Sequence, residues 1–260
     1  MLKTQKRGFS VKLKGEINLV TSADQKAEEL IVSRLKKNFP AFDFLAEETG
    51  ERIGRSGSDA VWVVDPLDGT TNFAHGLPVY AVSIALWEAE KPVLGVVYHP
   101  ALEELFWAVK GKGAFLNKKR IAVSCTKDPN SALLSTGFPY DLRVSRENNL
   151  DYFAAFATRV RAIRRMGAAA LDIAWTAAGR FDGFWELKLY PWDIAAAVLM
   201  VSEAGGKLSD FEGKVLELHT PNVVASNGCL HTFILKIIEE CRRSSFAGGE
   251  ETVIKKEVRS

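Results

Sequence analysis

Apolar and polar positions follow two textures along the chain, and the change between them divides it. After a basic start (residues 1–10, MLKTQKRGFS), Ala27, Leu30, Ile31 and Leu35 recur at helical spacing among charges, which predicts an amphipathic helix over 24–38. On local grounds Asp24 reads as the N-cap of that helix. Phe42–Leu45 and Val61–Val64 are short apolar runs that each lead into acids. The segments 79–87, 92–98 and 104–108 alternate or cluster β-branched and aromatic residues between turns. Together these predict strands of a mostly antiparallel sheet. From about residue 130 the pattern becomes an alternation of strands and helices. A strand at Ala132–Thr136 is followed by a helix near 146–159, the strand-like Ala162–Met166, and Ala-rich helices at 168–179 and 193–204 flanking a strand at Phe184–Leu189. A last strand at Asn222–Ser226 and a helix at 229–241 complete the core, and Gly205-Gly206 fits the end of the second Ala-rich helix.

This reading gives an α+β part over 1–130, an α/β part over 131–243 and a segment 244–260 (SSFAGGEETVIKKEVRS) too poor in apolar residues to fold by itself, expected as a mobile tail. No repeat or low-complexity linker separates the two parts, so they are expected to pack as one unit.

Composition changes the picture mainly by exclusion. The 260 residues are 47% hydrophobic and 25% charged, an ordinary globular balance. Lys plus Arg is 34 against 32 for Asp plus Glu, a formal net charge of +2. That supplies no strong field, and the basic runs Lys3–Lys14 and Arg159–Arg165 read as solvated faces, so no nucleic-acid partner is expected. The apolar run 194–201 falls far short of the roughly 20 residues a bilayer span needs. The amino terminus has no apolar core of a signal peptide, so no membrane association and a cytoplasmic location are expected. Cys125, Cys229 and Cys241 lie far apart, and the four histidines form no metal-binding pair. Any metal must be held by oxygen.

Oxygen ligands are concentrated in Trp62–Phe73 (WVVDPLDGTTNF), where a buried strand runs into Asp65-Pro66-Leu67-Asp68. A tight turn with Pro66 at its second position brings both aspartates to one side, with the Leu67 carbonyl beside them, a set suited to Mg²⁺. The amides and hydroxyls of Gly69-Thr70-Thr71 follow where a helical turn begins, a place for a phosphate. Taken alone, such a loop is as well explained by helix capping. Glu47-Glu48 after Phe42–Leu45 is alone a solvated turn, and Asp193 after Pro191-Trp192 is alone an N-cap.

Read together and in order, these segments resemble the inositol monophosphatase family. The resemblance rests on Asn18-Leu19-Val20-Thr21 with Asp24, Glu47-Glu48, Asp65 through Phe73, Gly167 with Ala168–Asp172, and Trp192-Asp193 followed by Glu203-Ala204-Gly205-Gly206. It covers about 14–241. It implies a five-layer αβαβα sandwich, hydrolysis of a small phosphomonoester, two to three Mg²⁺ ions, lithium sensitivity and a homodimer. By the same resemblance Glu47, Asp65 and the Leu67 carbonyl hold one ion, Asp65, Asp68 and Asp193 a second, and a third lies near Glu47, held through water. Gly69 and Thr70 contact phosphate, Asp68 also binds substrate, Asp24 hydrogen-bonds the catalytic Thr70, Glu186 binds substrate hydroxyls, and Ala169 lies by the backbone that touches substrate. Water oriented by Glu47 and Thr70 is the implied nucleophile.

The chain departs from the pattern at its start, which reads as shortened relative to a long leading helix. Lys188, near the implied substrate entrance, is either a surface lysine or an attractor for a second phosphate. Fructose 1,6-bisphosphate, a nucleotide 3′-phosphate and histidinol phosphate stay open as substrates, with Arg164-Arg165 similar to dual-specificity members. A regulatory, RNA-associated scaffold is the reading from another class; the intact acid set argues against it, since converging carboxylates repel one another without metal.

Overall fold

The computed structural model describes the backbone of residues 11–13, 19–52 and 58–254, and the side chains of 21–50 and 58–243. Strand β1 (Val11–Leu13) pairs antiparallel with β2 (Leu19–Thr21), which runs into helix α1 (Ser22–Asn38). Thr21, not Asp24, is the N-cap: its hydroxyl accepts the Ala23 N–H at 3.1 Å, while Asp24 accepts the Thr21 N–H at 2.8 Å. This is a capping box, and Lys36 and Lys37 complement the dipole at the other end.

An eight-stranded sheet follows, built from β3 (Asp43–Ala46), β4 (Gly50–Arg52), β5 (Ala60–Asp68), β6 (Ala81–Glu88), β7 (Lys91–His99), β8 (Glu104–Val109), β9 (Gly113–Leu116) and β10 (Lys119–Arg120). Its order is β10-β9-β8-β7-β6-β5-β3-β4, and every neighbouring pair is antiparallel except β3 with β5. Helix α2 (Thr70–Ala74) leaves the end of β5. The second sheet holds β11 (Leu133–Thr136), β12 (Ala162–Arg164), β13 (Gly183–Glu186), β14 (Lys207–Ser209) and β15 (Val223–Ser226) in the order β12-β11-β13-β15-β14. Its helices are α3 (Leu150–Ala157), α4 (Ala169–Ala177), α5 (Pro191–Ile194), α6 (Ala197–Glu203) and α7 (His231–Ile254).

The layers run α1, large sheet, α4 with α6, small sheet, α3 with α7, the five-layer αβαβα arrangement. Helices α4 and α6 are almost wholly buried, which their alanines permit by letting both sheets approach. One close approach is at Gly95 of β7, where a Cβ would stand 2.2 Å from the Ala196 carbonyl oxygen.

Several elements differ from the sequence expectation for local reasons. The helix expected near 146–159 begins only at Leu150, because Asn149 takes a left-handed φ of 75°. Its Nδ2 donates to Thr136 Oγ1 at 2.8 Å, and it accepts the Trp185 indole N–H at 2.7 Å. The single helix expected over 193–204 is split between α5 and α6, and β13 stops at Glu186, short of Lys188 with its φ of 59°. Helix α7 continues to Ile254, past 243 where the core was expected to end; residues 255–260 and residues 1–10, on which the expectation of a shortened start falls, lie outside the described residues. Among the described residues no helix is long and apolar enough to cross a membrane. The three cysteines are unpaired.

Candidate active site

The acids converge because two strands run side by side in the same direction. Parallel register sets Ala46 opposite Val64, so Glu47, just past the end of β3, comes beside Asp65 within β5, and the Glu47 N–H donates to the Val64 carbonyl at 3.2 Å. Asp65 pairs with Ser83 and Asp68 with Ala81, so three steps along β5 match two along β6. That is a β-bulge, not the tight turn anticipated for Asp65-Pro66-Leu67-Asp68. In a regular strand residues three apart face opposite ways; the extra residue returns Asp68 to the side of Asp65. The Leu67 N–H, inside the bulge, donates to Asp65 Oδ1 at 2.9 Å.

Asp68 then reaches across the chain. Its Oδ2 accepts the Ala170 N–H at 2.9 Å, and the amides of Ala169 and Leu171 also face it. Helix α4 has no side-chain cap of its own at Ala168, so Asp68 serves as its anionic cap from the other sheet. Asp193, in the first turn of α5, accepts the Tyr190 N–H at 2.8 Å. Helix α5 is held in place by the Trp87 indole N–H donating to Ala195 O at 3.0 Å and by the close seat of Ala196 on Gly95.

These carboxylates repel one another, and Asp65 and Asp68 are buried. Burial, then Glu47, Asp68 and Asp193 in turn, hold the Asp65 carboxyl well above the usual carboxylate range, against the Leu67 amide. Burial pushes Asp68 up to about 7, opposed first by the Ala170 amide. Asp193 is likewise pushed up to about 7 by burial, opposed by the Tyr190 amide and assisted by Asp68. Each of the three aspartates is oriented by a backbone N–H that donates to one of its oxygens. Among the described residues no three His, Cys, Asp or Glu side chains close into a ready-made metal cage. The donor set is thus a loose ring of oxygens, which suits a hard ion that keeps part of its water.

Gly69 takes φ 88° at the N-cap of α2, and a Cβ there would meet Val79 O at 2.9 Å. Only glycine meets both demands. Thr70 Oγ1 lies 3.0 Å from Asp24 Oδ1 and 3.0 Å from the Leu67 carbonyl, and the Thr21 hydroxyl donates to Asp24 from the other side. Asp24, fully buried, therefore joins the start of α1 to Thr70. Glu186 sits against Gly137, where any side chain would strike its carboxylate. Burial, Asp193 and Asp68 push Glu186 up to about 8, opposed by Arg165. Ala169 opens α4 beside Asp68.

Three residues near the site carried no role in the sequence reading. Asn72 Nδ2 donates to Val79 O and Met166 O, each at 2.8 Å, stapling α2 to the turn before α4; a polar residue inside the apolar end of the Asp65–Phe73 motif was the available signal. Asp172 is buried, with Oδ1 lacking a hydrogen-bond partner, and burial, Glu186 and Asp68 raise its carboxyl while Arg165 opposes. An aspartate in an otherwise apolar helix marked it. Burial, then Asp193, Glu47, Asp68 and Asp65, raise the Tyr140 phenol above the ordinary tyrosine range, and nothing in the sequence pattern pointed to it. Lys188 is neither a free surface lysine nor an open phosphate attractor: its Nζ is held by Asp141 Oδ2 at 2.6 Å and Ser145 Oγ at 2.8 Å.

Two mixed sheets with helices between and outside them, and an acid ring at the carboxyl ends of β3 and β5, define an α/β sandwich of the inositol monophosphatase type. The chain belongs to the inositol monophosphatase family, whose model matches residues 2–243. It is 43% identical over 234 residues to an inositol-1-monophosphatase of Mesorhizobium japonicum, covering 90% of this chain and 88% of that one. It is 45% identical over 222 residues to the Nus factor SuhB of Pseudomonas aeruginosa, covering 84% and 82%. The solved Thermotoga maritima IMPase superposes with a TM-score of 0.82 at 38% identity, covering 90% of this chain and 89% of that one.

Proposed function

We propose that this protein is a Mg²⁺-dependent phosphomonoesterase acting on inositol 1-phosphate or a similar small polyol phosphate. The observation that carries this reading is the mutual electrostatic contact of Glu47, Asp65, Asp68 and Asp193 beside Gly69 and Thr70. Glu47, Asp65 and the Leu67 carbonyl would hold one ion and Asp65, Asp68 and Asp193 another, with a third near Glu47 held through water. Bound Mg²⁺ supplies neutralisation of phosphoryl charge and acidification of water. Thr70, oriented by Asp24, and Glu47 direct the attacking water, while the amides of Gly69 and Thr70 receive phosphoryl oxygens. Glu186 takes substrate hydroxyls, and Ala169 lines the substrate side of α4. A homodimer, lithium inhibition and a cytoplasmic location belong to the same reading.

The test is phosphate release from inositol 1-phosphate, fructose 1,6-bisphosphate and adenosine 3′,5′-bisphosphate, with Mg²⁺ and with EDTA. Fastest metal-dependent turnover of inositol 1-phosphate supports the proposal; turnover of the bisphosphate as fast makes the enzyme dual-specific. No metal-dependent release from any ester overturns it. A second reading, a Nus-factor role, is favoured by the equally high identity to SuhB. It also removes the ground for excluding a nucleic-acid or transcription partner. Retention of RNA polymerase or a Nus protein by the immobilised chain, undiminished in D193N, would establish it beside or instead of catalysis.

A further inference from the structure

Helix α1 buries acids where an amphipathic helix would bury apolar residues. Of its 17 residues, Ala23, Asp24 and Glu28 are the buried ones, and two of those three are carboxylates four positions apart on one face. Asp24 reaches Thr70 Oγ1 at 3.0 Å. One turn on, Glu28 is 2% exposed and reaches the turn between β3 and β4, where its Oε2 accepts the Glu48 N–H at 2.7 Å. Its other oxygen, Oε1, is buried with no hydrogen-bond partner among the described residues. A carboxylate buried with one oxygen unsatisfied is less favourable to folding than an apolar side chain of similar volume. Packing therefore does not account for Glu28.

The Glu48 N–H matters because of the residue before it. Glu47 lies just past the end of β3, and its own N–H is held by the Val64 carbonyl at 3.2 Å. Glu28 holds the next N–H along. The backbone of Glu47 is thus tied on both sides of its Cα, to the large sheet before it and to α1 after it. Close side-chain packing does not support the turn on this flank, since a groove of about 440 Å³ lies there between α1 and β3, with Gln25, Lys36, Phe44, Glu48 and Thr49 in its walls.

We infer that Glu28 is a positioning residue for Glu47: by holding the Glu48 N–H it sets the direction in which the Glu47 carboxylate leaves the turn. The inference rests on the phosphatase reading above and gives α1 one task at two points. Asp24 and Glu28 stand about 6 Å apart along the helix axis. A single rigid element thereby fixes Thr70 and Glu47, the two groups that direct the attacking water in that reading, relative to one another.

The test compares E28Q, E28D and E28M with wild type in steady-state phosphate release at saturating Mg²⁺, and in calorimetric Mg²⁺ binding without substrate. E28M has no acceptor for the Glu48 N–H, and E28D keeps the charge but draws its oxygens back by one methylene. Loss of a partner that orients a metal ligand lowers metal affinity or activity about ten- to a hundredfold, so both variants should lose kcat and Mg²⁺ affinity to that degree, with KM for the ester near the wild-type value. E28Q, with an amide oxygen at the original reach, should recover most of both. Should E28M fail to fold, E28D against E28Q makes the same comparison, because one has the charge without the reach and the other the reach without the charge. An active wild type matched by E28D in kcat and Mg²⁺ affinity, whatever the thermal midpoints, overturns the inference, and so does an E28Q as impaired as E28D. A wild type inactive on every ester overturns the phosphatase reading instead, and Mg²⁺ calorimetry on the same proteins still decides the role of Glu28.

Discussion

Replacing Asp68 with Asn should stabilise the metal-free protein at pH 8, although Asp68 is a proposed metal ligand. In the folded chain its carboxyl is displaced from 3.8 to about 7, chiefly by burial. The folded state therefore holds a proton that the unfolded chain has released, and between those two values stability falls as pH rises. Above pH 7 the full displacement of about three pH units opposes folding by about 4 kcal/mol. Asparagine carries no charge at any pH and keeps an oxygen for the Ala170 N–H. The benefit of the substitution should thus be about 2–3 kcal/mol larger at pH 8 than at pH 5, since about two of those pH units lie above 5. Urea unfolding of both proteins in EDTA at the two pH values measures it, and effects common to both chains cancel. Adding Mg²⁺ at pH 8 should stabilise wild type far more than D68N. A D68N protein that in EDTA is less stable than wild type at pH 8, or whose advantage does not grow with pH, would refute the account of the acid ring.

Three further outcomes follow from single contacts. His231 bridges β14 and β15 through Ser209 and Ser226, and burial pushes its ring down to about 4. The folded state refuses a proton that the unfolded chain accepts, so about 3 kcal/mol present above pH 6.5 is lost as pH falls through 4. Urea unfolding from pH 4 to 7 should show that slope in wild type and lose most of it in H231Q. Gly69→Ala meets both a φ of 88° and a carbonyl at 2.9 Å; it should cost about 1–3 kcal/mol in thermal unfolding and raise KM for the phosphoester. Asp24→Asn keeps the fold but misorients Thr70. It should lower kcat at least about tenfold with KM near the wild-type value, whereas an unchanged kcat would reduce Asp24 to a helix cap.

The sequence made the acids legible because each ends an apolar run, and apolar runs are what one-dimensional patterns report best. Their assembly was not legible in the same way. Nothing local to Phe42–Leu45 states that it pairs in parallel with Val61–Val64, yet that register is what brings Glu47 beside Asp65. Pro66 is compatible with a turn or a bulge, and the β6 partner strand decides between them. Asp68 capping a helix that begins at Ala169 depends on the packing of one sheet on the other. Lys188 escaped for the same reason, since its partners Asp141 and Ser145 lie on a different segment whose placement depends on the small sheet. Short strands such as β10 and β14 carry too few residues for any periodicity to register.

The seat of α5 on the large sheet separates what must be conserved mechanically from what is free to drift. Trp87 and Gly95 lock Ala195 and Ala196, and with them Asp193, to the same scaffold that carries Asp65, so the reacting centre is a rigid tripod. The wall formed by 137–148 meets Glu186 at Gly137 and Lys188 at Asp141 and Ser145. Changes of sequence along that wall would therefore shift its surface without moving the carboxylates that the large sheet holds.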